Sequence, residues 1–251
     1  MDTVLLLQNA MDVGEALLKS GAEVYRVEDS MDRVLRAYGA QRVDVFTIPS
    51  LIVASVQMAG ERQVTQTRRI LRTATDFTAL TRLNALCRDI CRETPAPEEI
   101  GRRLEEIVAA KPYSRGVLLA AYVLVAFSFA CFFGGSWLDS LASGAVGGIL
   151  FWVVRGLRGL KVGEVFALLG GAATAAAGAL LLAGMGLGVQ LDKVVIGNIM
   201  LLIPGLELTN GMRDLFSGDV LAGLLHIGEA IFLAMVIALG AAYILSLGGV
   251  A

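Results

Sequence analysis

The chain has 251 residues, 56% hydrophobic and 18% charged, with a formal net charge of −2. Its mean hydropathy is +0.69, which excludes a disordered chain and speaks against an ordinary soluble enzyme. Acidic and basic side chains balance at 16 each in residues 1–115, so no basic face is available to track phosphates, and nucleic acid is not an expected partner.

The charges are unevenly spread: 32 lie in residues 1–115 and 12 in residues 116–251. The first stretch reads as a water-facing domain, and the second has too few charges to face water on any side. The first dozen residues hold two aspartates and no lysine or arginine. No secretory signal is expected there, which leaves the N-terminal part on the cytoplasmic side. Cys87, Cys91 and Cys131 are too few for a disulfide framework, and His226 is the sole histidine. No metal site and no other cofactor is expected.

In chain order, residues 3–20 read as a helix ending at Gly21. A second follows, with Val24, Val27, Met31, Val34, Leu35 and Tyr38 on one face and Gly39 as its stop. The period then changes to that of strands at 42–48 and 51–58, parted by Pro49-Ser50, with a third short strand at 62–67. Helical spacing returns at Phe77, Leu80, Ala85, Cys87 and Ile90. A last helix over 98–110 points Ile100, Leu104, Ile107 and Val108 inward. The run Glu23–Glu28 and the arginines Arg68, Arg69 and Arg72 read either as contacts to a ligand or to the membrane half, or as a solvated face with ion pairs.

Charge-free runs mark the membrane spans. The fold class expected is an α-helical membrane protein: a small cytoplasmic α+β domain over 1–112, then a transmembrane domain over 113–251. Its five helices fall at about 115–136, 139–155, 163–188, 192–211 and 219–247. Lys111 and Arg115 precede the first span, while Arg155, Arg158 and Lys161 follow the second. By the positive-inside rule this multi-pass chain places its N-terminal domain in the cytoplasm and its C-terminus outside. Gly144 with Gly148, and Gly184 with Gly188, have the GxxxG spacing of close helix contact, or are helix glycines without one.

The stretch IGNIMLLIPGLELTNGMRDLFSGDVLAG, residues 196–223, carries the chemistry. Pro204 and Gly205 break a short apolar segment, and irregular backbone at membrane depth survives only beside protein or a water-filled cavity. Around the break, Asn198, Pro204, Gly205, Glu207, Thr209 and Asn210 are the expected contacts of a small solute. Backbone groups exposed by the break would share in that contact, and a half-helix N-terminus would favour the solute's carboxylate. Ionisable groups in the spans suggest a proton path or a gate. The candidates are Glu207, Arg213, Asp214, Asp219, His226 and Glu229, with Glu229 paired to His226. Asn198 equally reads as a bond to a neighbouring helix, and Arg213, Asp214 and Asp219 as a cytoplasmic loop with Asp219 capping the last helix.

These residues resemble the threonine/serine exporter family. GAEVYRVEDSMDRVLRAYG and VDVFTIPSLIVAS carry the likeness in the first half, IPGLELTNGMRDLFSGDVLAG and GEA in the second. The resemblance implies a bacterial inner-membrane transporter that exports threonine and serine or, in a two-subunit version, C4-dicarboxylates such as succinate. It also implies the long, split form of the family, partnered by a small second membrane subunit. Where the family leads one to expect arginine, three residues before Glu229, this chain has His226.

An odd number of crossings independently asks for a homo-oligomer or a second subunit. No nucleotide loop is present, so proton-coupled secondary transport is the expected mechanism. A membrane-embedded hydrolase with Ser50 or Thr67 as nucleophile lacks a histidine in its soluble half, so an enzyme is not expected. A ligand sensor or scaffold that its helices merely anchor in the membrane lipid is the remaining alternative.

Overall fold

A computed structural model describes residues 2–71, 73–110, 113–160 and 162–249. Arg72, Lys111 and Lys161 of the sequence reading lie outside the described residues. The chain divides into two compact units, one of Met1–Lys111 with Glu207–Ile227, the other of Pro112–Leu206 with Gly228–Ala251.

In the first unit, helix α1 (Thr3–Lys19) is capped by Asp2, whose carboxylate accepts from the Val4 and Leu5 N–H groups. Gly21, at φ +87°, turns the chain into α2 (Val24–Ala37). The apolar face of α2 is buried at Val24, Val27, Met31, Val34 and Leu35, as its spacing predicts. Strands β1 (Arg42–Ile48), β2 (Leu51–Gln57) and β3 (Val64–Arg69) form an antiparallel sheet in that order, the third lying two residues beyond its predicted place. Ile52, Ala54 and Val56 of β2 are fully buried while their neighbours are half-buried, so one face of the sheet is covered by helices. Helices α3 (Phe77–Glu93) and α4 (Pro97–Val108) complete the layer. Ile100 and Leu104 are buried, but Val108, expected inward, is 65% exposed: the helix ends there and nothing covers its last turn.

The second unit holds α5 (Arg115–Phe132), α6 (Trp137–Gly159), α7 (Glu164–Gly184), α8 (Leu191–Ile199) and most of α10 (Val220–Leu247). Among the described residues, four helices are long and apolar enough to cross a membrane: α5, α6, α7 and α10. The crossing expected at 192–211 is built differently. It consists of α8, 9 residues, and α9 (Gly205–Ser217), 13 residues. At ~1.5 Å per residue these reach ~13 and ~20 Å, each short of a ~30 Å hydrocarbon core. Helix α10 has 28 residues, or ~42 Å. Its portion in the second unit, 228–247, measures ~30 Å and by itself matches the core.

Lipid tails are as apolar as leucine, so helices in a membrane associate through close packing, and small residues set it. A Cβ at Gly147 of α6 would stand 2.7 Å from Ala126 Cβ and 3.0 Å from the Tyr122 carbonyl of α5. One at Gly197 of α8 would stand 2.5 Å from Ser143 Oγ, and one at Gly240 of α10 2.6 Å from the Leu169 carbonyl of α7. Gly144 and Gly148 also face α5, at 3.4 Å from Val123. Gly184 and Gly188 make no such contact: nothing lies within 4 Å of either, and Gly188, at φ +74°, lies beyond the end of α7 in the turn before α8. Gly147→Ala is expected to destabilise the detergent-solubilised chain by about 1 to 3 kcal/mol, through backbone that has to move. Gly156→Ala, on the same helix with nothing within 4 Å, is expected to be neutral or stabilising by up to about 1 kcal/mol. Thermal unfolding of the two variants checks this.

Candidate functional site

The interruption between α8 and α9 is a tight turn that satisfies its own backbone donors. Leu201 N–H donates to the Asn198 carbonyl, Leu202 and Ile203 N–H both to Ile199, and Gly205 N–H to Ile203; Pro204 has no N–H to place. These four donors are bonded within the turn, and the first-turn N–H groups of α9 follow them. Asn198, one turn earlier, is fully buried. Its Nδ2 donates to the Val194 carbonyl at 2.9 Å and to Ser143 of α6 at 3.1 Å (Oγ) and 3.2 Å (carbonyl). Ser143 Oγ in turn donates to the Ala126 carbonyl of α5 at 2.9 Å. Of the two readings of Asn198, the bond to a neighbouring helix is present, while its Oδ1 is buried without a partner.

Glu207 lies in the first turn of α9, half-buried. The helix end expected to receive a solute's carboxylate thus already carries a carboxylate of its own, favoured there by the helix dipole. Beside it Pro204 is half-buried, Gly205 and Thr209 are exposed, and Asn210 is half-buried with its Nδ2 donating to the Gly21 carbonyl at 3.4 Å. The left-handed turn at Gly21 presents that carbonyl.

Past Glu207 the chain forms an elbow that belongs to the α+β unit. Helix α9 and the first turns of α10 cross through two glycines. A Cβ at Gly211 would meet Ile227 Cγ1 at 2.8 Å and the Gly223 carbonyl at 3.0 Å; one at Gly223 would meet Leu215 Cγ at 2.6 Å and the Gly211 carbonyl at 2.8 Å. Ala222 beside them is 2% exposed and joins the core that α1–α4 and the sheet build. Arg213 reaches the buried Glu23, at the N-terminus of α2, as an ion pair. Of the alternatives for the Glu23–Glu28 run, contact with the second half of the sequence is the one realised at Glu23, through Arg213.

The close crossing places Asp214 against His226. Asp214 is fully buried, and its Oδ2 lies 2.9 Å from His226 Nδ1. With that nitrogen protonated, the ring donates to the ionised carboxylate. Asp214 Oδ1 has no partner. Glu28 of α2 stands close enough to feel both Asp214 and Asp219. Its Oε1 accepts the Thr47 N–H of β1 at 2.6 Å, and the hydroxyl of the buried Thr47 is itself unpartnered. Burial, and then repulsion from Asp219 and Asp214, pushes the Glu28 carboxyl up to about 7, against the lowering effect of the Thr47 N–H. Asp219 is half-buried in the turn between α9 and α10, where its N–H donates to the Asp214 carbonyl at 2.9 Å.

Glu229 was expected to pair with His226, but His226 bonds Asp214, and Glu229 is exposed one turn further along α10. It is the second residue of the 228–247 portion. Of Arg68 and Arg69, Arg68 bridges Asp12 and Glu15 of α1, each at 2.8 Å. The Cys87 thiol is pushed up to about 12, chiefly by burial, and is chemically inert. Among the described residues no cluster of His, Cys, Asp and Glu could hold a metal ion. Sequence spacing missed Glu28 and Thr47 as members of the cluster, because they come from residues about 170 and more positions away from Asp214 with no period to link them.

A family model described as "Putative threonine/serine exporter" matches residues 8–248. The chain belongs to this family. A "Probable threonine/serine exporter" of Mycobacterium tuberculosis (strain ATCC 25618 / H37Rv) is 27% identical over 256 residues, covering 100% of this chain and 47% of the relative. The chain thus spans about half the length of the curated relative it matches. No solved structure matches. Family and four apolar helices together make this a multi-pass membrane protein.

Removing one partner of a buried pair leaves the other uncompensated. His226→Ala is therefore expected to cost about 3 to 5 kcal/mol, whereas replacing both Asp214 and His226 by leucine should cost much less than that single change. Thermal unfolding of the two variants in detergent, against the unaltered chain, measures the difference.

Proposed function

We propose that the chain is a secondary, proton-coupled exporter of small amino acids such as threonine and serine, acting in a bacterial inner membrane. The observation that carries this reading is the family match across residues 8–248. The helix interrupted between Ile199 and Gly205 supports it, since a membrane helix is broken where a solute or ion has to be met. So does the name of the relative. In this reading Asn198, Pro204, Gly205, Thr209 and Asn210 contribute to solute contact, and Glu207 is the amine partner or proton carrier. Arg213, Asp214, Asp219 and His226, with Glu229, gate or couple to protons. A carboxylate already seated in the first turn of α9 favours a solute bearing an ammonium group over a dicarboxylate.

A second membrane unit, either a small subunit or another copy of the chain, would complete the pathway. The relative is about twice as long as this chain, which leaves room in it for such a unit. The N-terminal domain would lie in the cytoplasm and the C-terminus outside.

Two measurements test the reading. Export of labelled threonine, serine and succinate is compared in cells with and without the chain, at matched membrane abundance of Glu207→Gln, Pro204→Ala and Glu229→Gln. Threonine export is expected to fall at least about tenfold in Glu207→Gln, the size of effect that follows from ~1.4 kcal/mol of lost interaction. Wild-type rates and unchanged pH dependence in all three would end the mechanism, and loss of succinate export alone would end the amino-acid assignment. A reporter fused after residue 251 is expected to be active only outside the cytoplasm; a cytoplasmic signal overturns the orientation.

A further inference from the structure

Helix α10 has two unlike sides. The inward one is packed within the chain: Ala222, Ala230, Leu233 and Ile237 are buried. A Cβ at Gly223 or at Gly240 would stand 2.6 Å from Leu215 Cγ or from the Leu169 carbonyl. The outward side is bare along the helix. Leu221, Gly228, Met235 and Ala242 stand seven residues apart and are all exposed, flanked by Leu224 and Phe232, which are exposed too. At ~3.6 residues per turn these six share one arc less than ~100° wide. No charge interrupts it: Glu229 falls beyond one border, and His226 is turned to Asp214.

Lipid covers apolar surface within the bilayer, and α10 is longer than that cover. Its 28 residues reach ~42 Å, or ~39 Å along the membrane normal at the usual ~20° tilt. The hydrocarbon core takes ~30 Å and one interfacial layer only ~5 to 8 Å more. His226 and Glu229 both lie in the first ten residues of the helix, so the surplus length is at that end. Leu221 and Leu224, 55% and 58% exposed, belong to it. Apolar side chains that reach water in a row mark a surface that another protein covers.

The side chains of the arc change along its length to match. Leucines stand at the end that meets water, where the hydrophobic effect drives burial. Ala238 and Ala242 stand at the far end, where close packing is what brings helices together. A fitting partner is therefore a helix that leaves the membrane as α10 does, with one apolar stripe serving both solvents. Helix α10 is itself such a helix. A second copy inserted in the same orientation, related by a two-fold axis along the membrane normal, sets the two α10 helices parallel and at equal depth. Each residue of the arc then faces its own counterpart, and a seven-residue repeat is the one that keeps parallel helices in contact. Glu229 stays outside the contact, so no like charges meet. Gly228, whose Cβ would find nothing within 4 Å, leaves room for the backbone of the other copy.

We propose that the outward arc of α10, from Leu221 to Ala242, is the surface through which two copies of the chain pair in parallel. The second membrane unit is then another copy rather than a small subunit. The inference does not depend on which solute the chain carries or on how export is coupled.

The test is disulfide cross-linking in native membranes, with single cysteines placed in the full chain after the exposed Cys131 is replaced by alanine. A disulfide needs Cα atoms within about 7 Å, which the pairing provides only along the arc. On mild oxidation, Leu221→Cys, Gly228→Cys, Met235→Cys and Ala242→Cys are each expected to give at least about fivefold more covalent dimer than Glu229→Cys and Ala234→Cys, exposed on either side of the arc. Adding Leu224→Lys to Gly228→Cys, at matched membrane abundance, should lower the yield at least about tenfold by placing two charges against each other. Dimer yields that do not differ between arc and borders, cross-links to a different subunit in place of the dimer, or a yield unchanged by Leu224→Lys overturn the proposal. Should Leu224→Lys fail to reach the membrane, the contrast between arc and border positions decides alone.

Discussion

The fully buried Asp214 is the group on which the arrangement of the α+β unit turns. A carboxylate with no exposure and one hydrogen-bonded partner is tolerable only if that partner is held in place, and here the partner, His226, sits on the next helix. Gly211 and Gly223 hold it. Their missing side chains let α9 and α10 approach until each glycine's would-be Cβ lies within 3.0 Å of the other's carbonyl oxygen. Any side chain there would part the helices and strand the carboxylate. The sharp turn at Gly218, φ +95°, closes the elbow that makes the approach possible.

From this pair the remaining features of the site follow. Because Asp214 must stay near His226, Glu28 of α2 meets a negative neighbour and keeps its proton to near neutrality. Arg213, one residue earlier on α9, pairs instead with Glu23 at the N-terminus of α2. Burial of polar groups recurs in the second unit in a fully supported form. Asp139, also at zero exposure, accepts from Ser136 N and Oγ and from Gln190 N, which ties the start of α6 to the start of α8. The contrast is informative: Asp139 has every oxygen occupied and reads as scaffold, whereas Asp214 retains an unoccupied oxygen.

Much of the architecture was legible because it follows from periodicity and composition. The α2 stripe from Val24 to Leu35, the alternation in β2 and the charge-free runs that become α5, α6, α7 and α10 each repeat within one element, where local sequence is sufficient. The break at Pro204 was legible for the same reason, as proline removes a donor wherever it stands. Gly184 and Gly188 show the limit of spacing: the motif is present, but its second glycine lies outside the helix and faces no partner.

The amino-acid sequence by itself determined the two chemistries of the chain, the helices and strands, the break at Pro204 and the family. It also singled out Asp214, His226 and Glu207 as ionisable groups in unusual company. Only the tertiary structure decided which of them meet. His226 at i, i+3 from Glu229 bonds instead to Asp214, 12 residues earlier, because a helix crossing through two glycines brings their side chains together while an exposed Glu229 turns away. Glu28 and Thr47 enter the cluster from the far end of the chain, and the elbow 207–227 clusters with the first unit rather than with the helices before it. Periodicity reports which face of an element is apolar; which other element covers that face depends on close approach between residues distant in sequence, and no local pattern records it.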